Sequence, residues 1–307
     1  MLTNTRETML YHYTSIDALK SILQEATTEK GICFWATRFD CFADKAEYLL
    51  GIEVIKRLLP KLEERLNPDR RMASSFDIER IIGDVTLPFP YIVSFTDKDD
   101  NGYLWEEYAK RETGVVLGLD ESTRVANEFT RNLFLKRCLY VGEKTEEELL
   151  KEIEDEYFAS AYLMLTGPNK KLAYSFLSDY PQLFVAMIGR ILLAYVAPRF
   201  KEDSYHTEKE IRAILAPPRL EMLTLIEQYG EILKAFDVNA EEVKKMIACE
   251  KKRTRDNGQE VLYQELFLPG YLLKSVSVAN EELIRPVNEV LAAKGFDGVE
   301  VKKVRAV

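Results

Sequence analysis

Only two histidines occur in the 307 residues of the chain. With so little imidazole, no HExxH pair and no cysteine cluster, the sequence excludes the usual His-rich zinc site and metalloprotease chemistry. The four cysteines (Cys33, Cys41, Cys138 and Cys249) are scattered without a CxxC spacing. That pattern suits reduced thiols rather than a disulfide framework. There is no GxGxxG fingerprint, GxxxxGK[ST] loop or GxSxG elbow, which removes most Rossmann oxidoreductases, P-loop NTPases and serine hydrolases. Long apolar runs are missing too: the richest segment, Leu183–Val196, is interrupted by Arg190 and is too short to span a bilayer. The N-terminal stretch MLTNTRETMLYHYTS holds no apolar run of signal-peptide length. A cytoplasmic protein that does not engage membrane is expected.

What is present is an ordinary globular composition, 47% hydrophobic and 30% charged, rich enough to bury a core. The length suits one large domain with insertions, and no repeat or Pro/Gly/Ser-rich linker divides it. The net charge of -9 disfavours non-specific binding to phosphate backbones or anionic lipid, although a local basic surface overrides such an average.

Periodicity predicts an α+β chain. Ser15 is placed to cap a helix carrying Ile16, Leu19, Ile22 and Leu23 on one face. Strands are expected at Gly31–Thr37, Tyr91–Thr96, Gly114–Asp120, Phe134–Val141, Glu260–Leu268, Leu272–Val278 and Val299–Lys303. The alternation of TEKEIRAIL adds another, stopped by Pro217-Pro218. A helical stripe formed by Ile55, Leu58, Leu59, Leu62 and Leu66 contains Pro60, which should kink or divide it. A short helix over LWEEYAK and a longer one over Glu281–Lys294 complete the pattern. The expected architecture is a single domain over 1–307: a mixed, mainly antiparallel sheet with helical insertions at about 43–85, 145–197 and 219–255.

Three segments can carry chemistry. In Tyr11-His12-Tyr13-Thr14-Ser15, His12 falls at the end of a short strand just before a capped helix, where unpaired backbone N–H groups favour anions. His12, Tyr13 and Thr14 then recognise a polar ligand, or they are simply core hydrogen-bonders. In Glu208-Lys209-Glu210-Ile211-Arg212, strand alternation would put Glu208, Glu210 and Arg212 on one face, with Ile211, Ala213 and Leu215 turned to the core. Such a face either holds an ionised carboxylate beside developing positive charge or is a solvated ladder of compensating charges. Trp105 and Tyr108, three apart, share a helical face. They form a stacking wall for a planar ring, or they anchor the helix to the sheet. Asp97, Asp99 and Asp100 lack the spacing of a calcium loop. The run Lys251–Arg255 (KKRTR) is expected at a helix end, where cations suit the helix dipole.

In order, these segments resemble a large bacterial family known as a domain of unknown function. The resemblance is carried by Tyr11–Ser15, Val93–Thr96, Trp105–Ala109, Gly114–Asp120, Phe200–Lys201 with Glu208–Arg212, and Leu272–Lys303. The family's N-D-P-x-E stretch is only half kept, as Asp44 and Glu47. More distantly, a His-x-Thr start and a late Glu-bearing strand are similar to the layout of ADP-ribosyltransferase folds. That likeness implies NAD as a substrate, with no tightly bound cofactor and an acceptor that is a protein or nucleic acid. By position it implies His12 as the ribose contact, Tyr13 or Trp105 as the stacking surface and Glu210 as the catalytic carboxylate, with Glu208 orienting the acceptor. Phe34 or Trp35 would supply the aromatic of the second strand.

Three readings therefore stand: an NAD-using ADP-ribosyltransferase-like enzyme of a defence or toxin system, a non-catalytic nucleotide- or protein-binding module, and a nucleic-acid-processing enzyme. The third would need Asp44, Glu47 and Glu210 to converge on a divalent ion.

Overall fold

The computed structural model describes residues 9–24, 31–42, 44, 46–66, 89–120, 133–166, 192–215, 249–255 and 258–304. Within them the chain builds a ten-stranded sheet. Along its main path lie β12 (Glu300–Lys303), β11 (Leu273–Val278), β4 (Gly114–Asp120), β1 (Met9–Ser15), β3 (Tyr91–Thr96), β2 (Ile32–Arg38), β10 (Glu260–Leu268) and β9 (Lys251–Thr254), in that order. The path is extended by β8 (Glu210–Leu215), which pairs with β3, and by β5 (Leu133–Arg137), which pairs with β8. Every pairing in this sheet is antiparallel except β11–β12. The fold is thus α+β with a mixed, mainly antiparallel sheet, as the alternation of the sequence leads one to expect.

Two departures from strand-by-strand expectation shape the site. The segment read as one strand over Phe134–Val141 breaks at Cys138: β5 stays in the large sheet, while β6 (Leu139–Val141) pairs in parallel with β7 (Phe200–Glu202). The break is held by the Cys138 amide, which donates to the Glu210 carbonyl at 2.9 Å. The run Lys251–Arg255 is a strand edge and not a helix end, because Lys251–Thr254 pair in register with Glu260–Tyr263 of β10. Of the insertion expected at 219–255, Lys251–Thr254 is strand, and residues 219–248 lie outside the described residues.

One face of the sheet is closed by α1 (Ile16–Ile22) and α5 (Ile284–Ala293), whose Leu19, Ile22, Val287 and Leu291 join Phe34, Val93, Phe95, Ile211 and Ala213 in the largest apolar cluster. Burial of this kind contributes about 25 cal/mol per Å² of apolar surface. Ser15 caps α1 as its position suggests, accepting from the Ala18 amide at 3.1 Å. On the opposite face α2 (Ala46–Leu66) and α4 (Glu146–Thr166) enclose a second cluster with Ile92, Leu139, Phe200 and Ile214. The helix α2 runs through Pro60 as a single element, so the expected division does not occur. Pro60 is exposed, so its ring faces solvent while Leu58, Leu59 and Leu62 hold the helix down. The remainder of the insertions expected at 43–85 and 145–197, apart from a π-helical turn at Leu192–Val196, lies outside the described residues.

Gly51 makes this packing close. A Cβ there would stand 2.0 Å from the Ala197 carbonyl oxygen, so only hydrogen lets α2 approach the 3₁₀ turn Ala197–Arg199 that leads into β7. That contact brings Glu47, at the start of α2, up to Lys201 of β7.

Candidate functional site

The sheet forks at β3. Along one edge of β3, Tyr11 of β1 pairs with Thr96, and Thr37 and Arg38 of β2 pair with Ile92 and Tyr91. The residues between them have no strand partner on that edge. His12 fills the fork: its Nδ1 donates to the Ser94 carbonyl at 2.9 Å, and its ring packs edge-on against Phe34 with centroids 4.9 Å apart. The carbonyl only accepts, so Nδ1 carries the proton and Nε2 remains an acceptor in the neutral ring. Burial lowers the imidazole's affinity for a proton, and the bond to Ser94 only partly opposes this. His12 is therefore a neutral wedge in the sheet.

A cleft of about 870 Å³ opens along this fork, a volume within the range of small-molecule sites. Its two ends differ in chemistry. At one end, the side chains of Lys201, Glu208, Glu210 and Arg212 meet Glu47, and all are buried. Lys201 Nζ lies 2.6 Å from Glu208 Oε2, 2.8 Å from Glu210 Oε2 and 3.3 Å from Glu47 Oε1. Arg212 holds Glu210 through both carboxylate oxygens, at 2.9 and 3.0 Å, and reaches Glu47 at 2.7 Å. A further guanidinium nitrogen donates to the Pro198 carbonyl, and the plane lies 5.1 Å from the Phe39 ring centroid, a cation–π distance.

Three carboxylates thus share two cations, and the shortfall falls on Glu208. Burial pushes its carboxyl up, opposed by Lys201 and reinforced by Glu210 and Glu47. Its Oε1 is buried with no hydrogen-bond partner. Glu210 is the reverse case: burial alone would raise it, but Arg212 and Lys201 outweigh that and hold it far below the usual carboxylate range. Lys201 stays protonated for the same reason, since burial is overcome by Glu210 and its companions.

The strand does not begin where alternation suggests. Asp203–Glu208 is a 3₁₀ turn, Lys209 takes the left-handed conformation at φ 47°, and β8 starts at Glu210. Even so, Glu208 converges with Glu210 on Lys201. The face shared by Glu210 and Arg212 is as buried as the Ile211–Ala213 face, so the ladder is not solvated. Tyr140 of β6 completes the shell by accepting from the Glu210 amide at 2.9 Å.

Of the other residues singled out, Thr14, Tyr13 and Tyr108 line the cleft. Tyr13 is already committed, donating to the Lys98 carbonyl at 2.9 Å and accepting from the Asn101 amide at 3.1 Å. Trp105, on α3 (Gly102–Glu107), is 1% exposed, and its ring stacks edge-on against Tyr13. Its indole N–H donates to the Asp99 carbonyl at 2.9 Å. Trp105 anchors α3 to the sheet and is not among the cleft-lining residues, so it offers no stacking surface there. Tyr108 lies just past the end of α3 and is 52% exposed. The pair does not form one wall; Tyr103 and Tyr205 line the carboxylate end beside Tyr108 instead.

Tyr103 and Tyr205 carry no sequence signal of their own. Lys201 is marked only by its place in the Phe200–Lys201 segment of the family resemblance, and its meeting with the carboxylates is a long-range event made by the parallel β6–β7 pair. Glu47 was visible as the remnant of the N-D-P-x-E stretch. It converges with Glu210 as the metal-dependent reading requires, but the groups between them are the cations Lys201 and Arg212. Asp44 caps the start of α2, accepting from the Ala46 amide at 2.8 Å. Among the described residues no group of three His, Cys, Asp or Glu side chains is arranged to hold a metal ion.

At the other end, Arg253 of β9, Arg255 just beyond it and Trp35 of β2 line the cleft. The Arg253 guanidinium lies 5.5 Å from the Trp35 ring centroid and 6.0 Å from that of Tyr263. The aromatics that the run Lys251–Arg255 lacks in sequence are supplied by neighbouring strands.

Residues 104–213 match a family described as Protein of unknown function (DUF2971). The resemblance to a domain of unknown function is met over that span, which includes Tyr108, Lys201, Glu208, Glu210 and Arg212 and excludes His12, Glu47 and Arg253. No curated protein and no solved structure matches the chain, and so none that is an ADP-ribosyltransferase. Among the described residues no helix is long and apolar enough to cross a membrane.

Proposed function

We propose that the cleft binds NAD and that its carboxylate end cleaves the bond between nicotinamide and ribose, transferring ADP-ribose to an acceptor. The observation that supports this reading most is the buried Oε1 of Glu208, unpartnered at the carboxylate end of the cleft. An unsatisfied buried acceptor costs about 1–3 kcal/mol, a cost that a ligand hydroxyl or an attacking nucleophile offsets. The exposed tyrosines Tyr103 and Tyr108 provide a surface for the nicotinamide ring.

In this reading the C1′–N bond breaks and its electron pair neutralises the pyridinium nitrogen, leaving an oxocarbenium-like ribosyl centre. Glu210, held ionised between Arg212 and Lys201 at neutral pH, contributes negative potential there. The acceptor's lone pair forms the new bond to C1′, and its proton passes to Glu208, whose affinity for protons burial raises above that of an exposed carboxylate. His12 positions the fork and takes no proton. The assignment extends the positional one: Glu210 stays beside the developing charge, and Glu208, which orients the acceptor, also takes its proton.

The test follows nicotinamide release from NAD by wild type, Glu208→Gln and Glu210→Gln. Release that both variants lose supports the assignment. Release untouched by Glu208→Gln removes the general base and with it the mechanism.

A second reading has its own observation. Glu210 is fully engaged by Arg212 and Lys201, as in a structural ion network, which favours a nucleotide- or protein-binding module. That reading expects NAD to raise the unfolding temperature without any nicotinamide appearing.

A further inference from the structure

We propose that Arg253, Arg255 and Trp35 form a subsite for a nucleoside diphosphate, with the base against Trp35 and the phosphates on the two guanidinium groups. The proposal stands on β2, β9 and β10 and needs no bond to be cleaved, so it is independent of the reading of Glu208.

The four cations of this edge sort into two kinds. Lys251 and Lys252 are spent on their neighbours, at 2.7 Å from Glu265 and 2.9 Å from Glu260. Arg253 and Arg255 have no carboxylate within ion-pair distance among the described residues. Arg253 donates only weakly to the Thr37 hydroxyl at 3.3 Å, and its buried Nε has no partner. Arg255 is held by the Gln259 side-chain carbonyl at 2.9 Å, a neutral group. Two guanidiniums two residues apart, with no carboxylate partner among the described residues of a protein of net charge -9, repel each other unless an anion sits between them. Phosphate oxygens match the guanidinium fork in geometry and charge.

Trp35 supplies the second half. It is 41% exposed although it belongs to a central strand, and one neighbour is Tyr263, with ring centroids 5.0 Å apart. An exposed indole beside an arginine pair is a stacking surface for a base. The location on the cleft wall and the acidic net charge favour a mononucleotide over a long polyanion.

The chain has two tryptophans. Trp105 is buried, so quenching by an added ligand reports Trp35. ADP, adenosine, inorganic pyrophosphate and a single-stranded oligonucleotide would be titrated into the full chain while emission is followed. ADP should quench saturably and pyrophosphate should displace it. Adenosine should bind roughly tenfold more weakly or worse, as should ADP to Arg253→Gln and Arg255→Gln, each having lost charge-assisted bonds. Trp35→Phe should remove the signal. Adenosine binding as tightly as ADP overturns the proposal without relying on any variant. So does quenching that survives both arginine changes, or an oligonucleotide that binds where millimolar ADP does not.

Discussion

Arg212 clasps Glu210 from two residues along the same strand, with Nε 2.9 Å from one carboxylate oxygen and a terminal nitrogen 3.0 Å from the other. Side chains at i and i+2 share a face of a strand, so the clasp is local. It becomes a node only because Glu47 and Lys201 arrive from α2 and β7.

Removing the guanidinium should therefore cost more than one ion pair. Arg212→Met leaves Glu47 and Glu210 buried with only Lys201 between them, and breaking a buried pair in this way costs about 3–5 kcal/mol. Equilibrium urea unfolding of the variant measures it. A loss below about 1 kcal/mol, the scale of an exposed pair, would mean that water reaches the cluster.

The two glutamates should give opposite pH signatures. Glu210 has a folded pKa below its unfolded value. Its contribution is present above the unfolded value of about 4.3 and is lost as pH falls through the folded one. Glu208 has a folded pKa above its unfolded value, so its contribution is present below the unfolded value and lost as pH rises through the folded one. Relative to wild type, Glu210→Gln should be less stable at neutral pH, with the gap closing in acid. Glu208→Gln should gain stability with rising pH. Urea midpoints from pH to pH read both trends; parallel curves for all three proteins would refute the linkage.

Trp105 and Tyr108 should separate in the same way that their burial does. Trp105→Ala removes an indole that is 1% exposed together with its bond to the Asp99 carbonyl, a change expected to cost about 3–5 kcal/mol. Tyr108, 52% exposed, should tolerate Ala within about 0.5 kcal/mol while weakening NAD binding. Thermal unfolding with and without NAD checks both, and equal destabilisation by the two changes would contradict the placement of α3.

Much of the fold was legible because its signals are local. The Ser15 cap, the alternation through Tyr91–Thr96 and Gly114–Asp120, and the stripe on α2 each lie within one element, where period and capping chemistry act. The run Lys251–Arg255 was misread because its identity as a strand comes from β10, its partner in space. A short charged run has no period of its own, and pairing decided its conformation.

The site divides along the same line. By itself the sequence determined that His12, Tyr13, Glu208, Glu210 and Arg212 occur in segments able to carry polar groups, and that no common metal or phosphate motif accompanies them. Tertiary structure alone decided which charges are neutralised. The break at Cys138 and the close approach at Gly51 carry Lys201 and Glu47 to Arg212. They leave one oxygen of Glu208 without a partner. Whether a carboxylate is solvated, clasped or unsatisfied depends on atoms within a few ångströms, and here most of those atoms belong to residues far away in sequence.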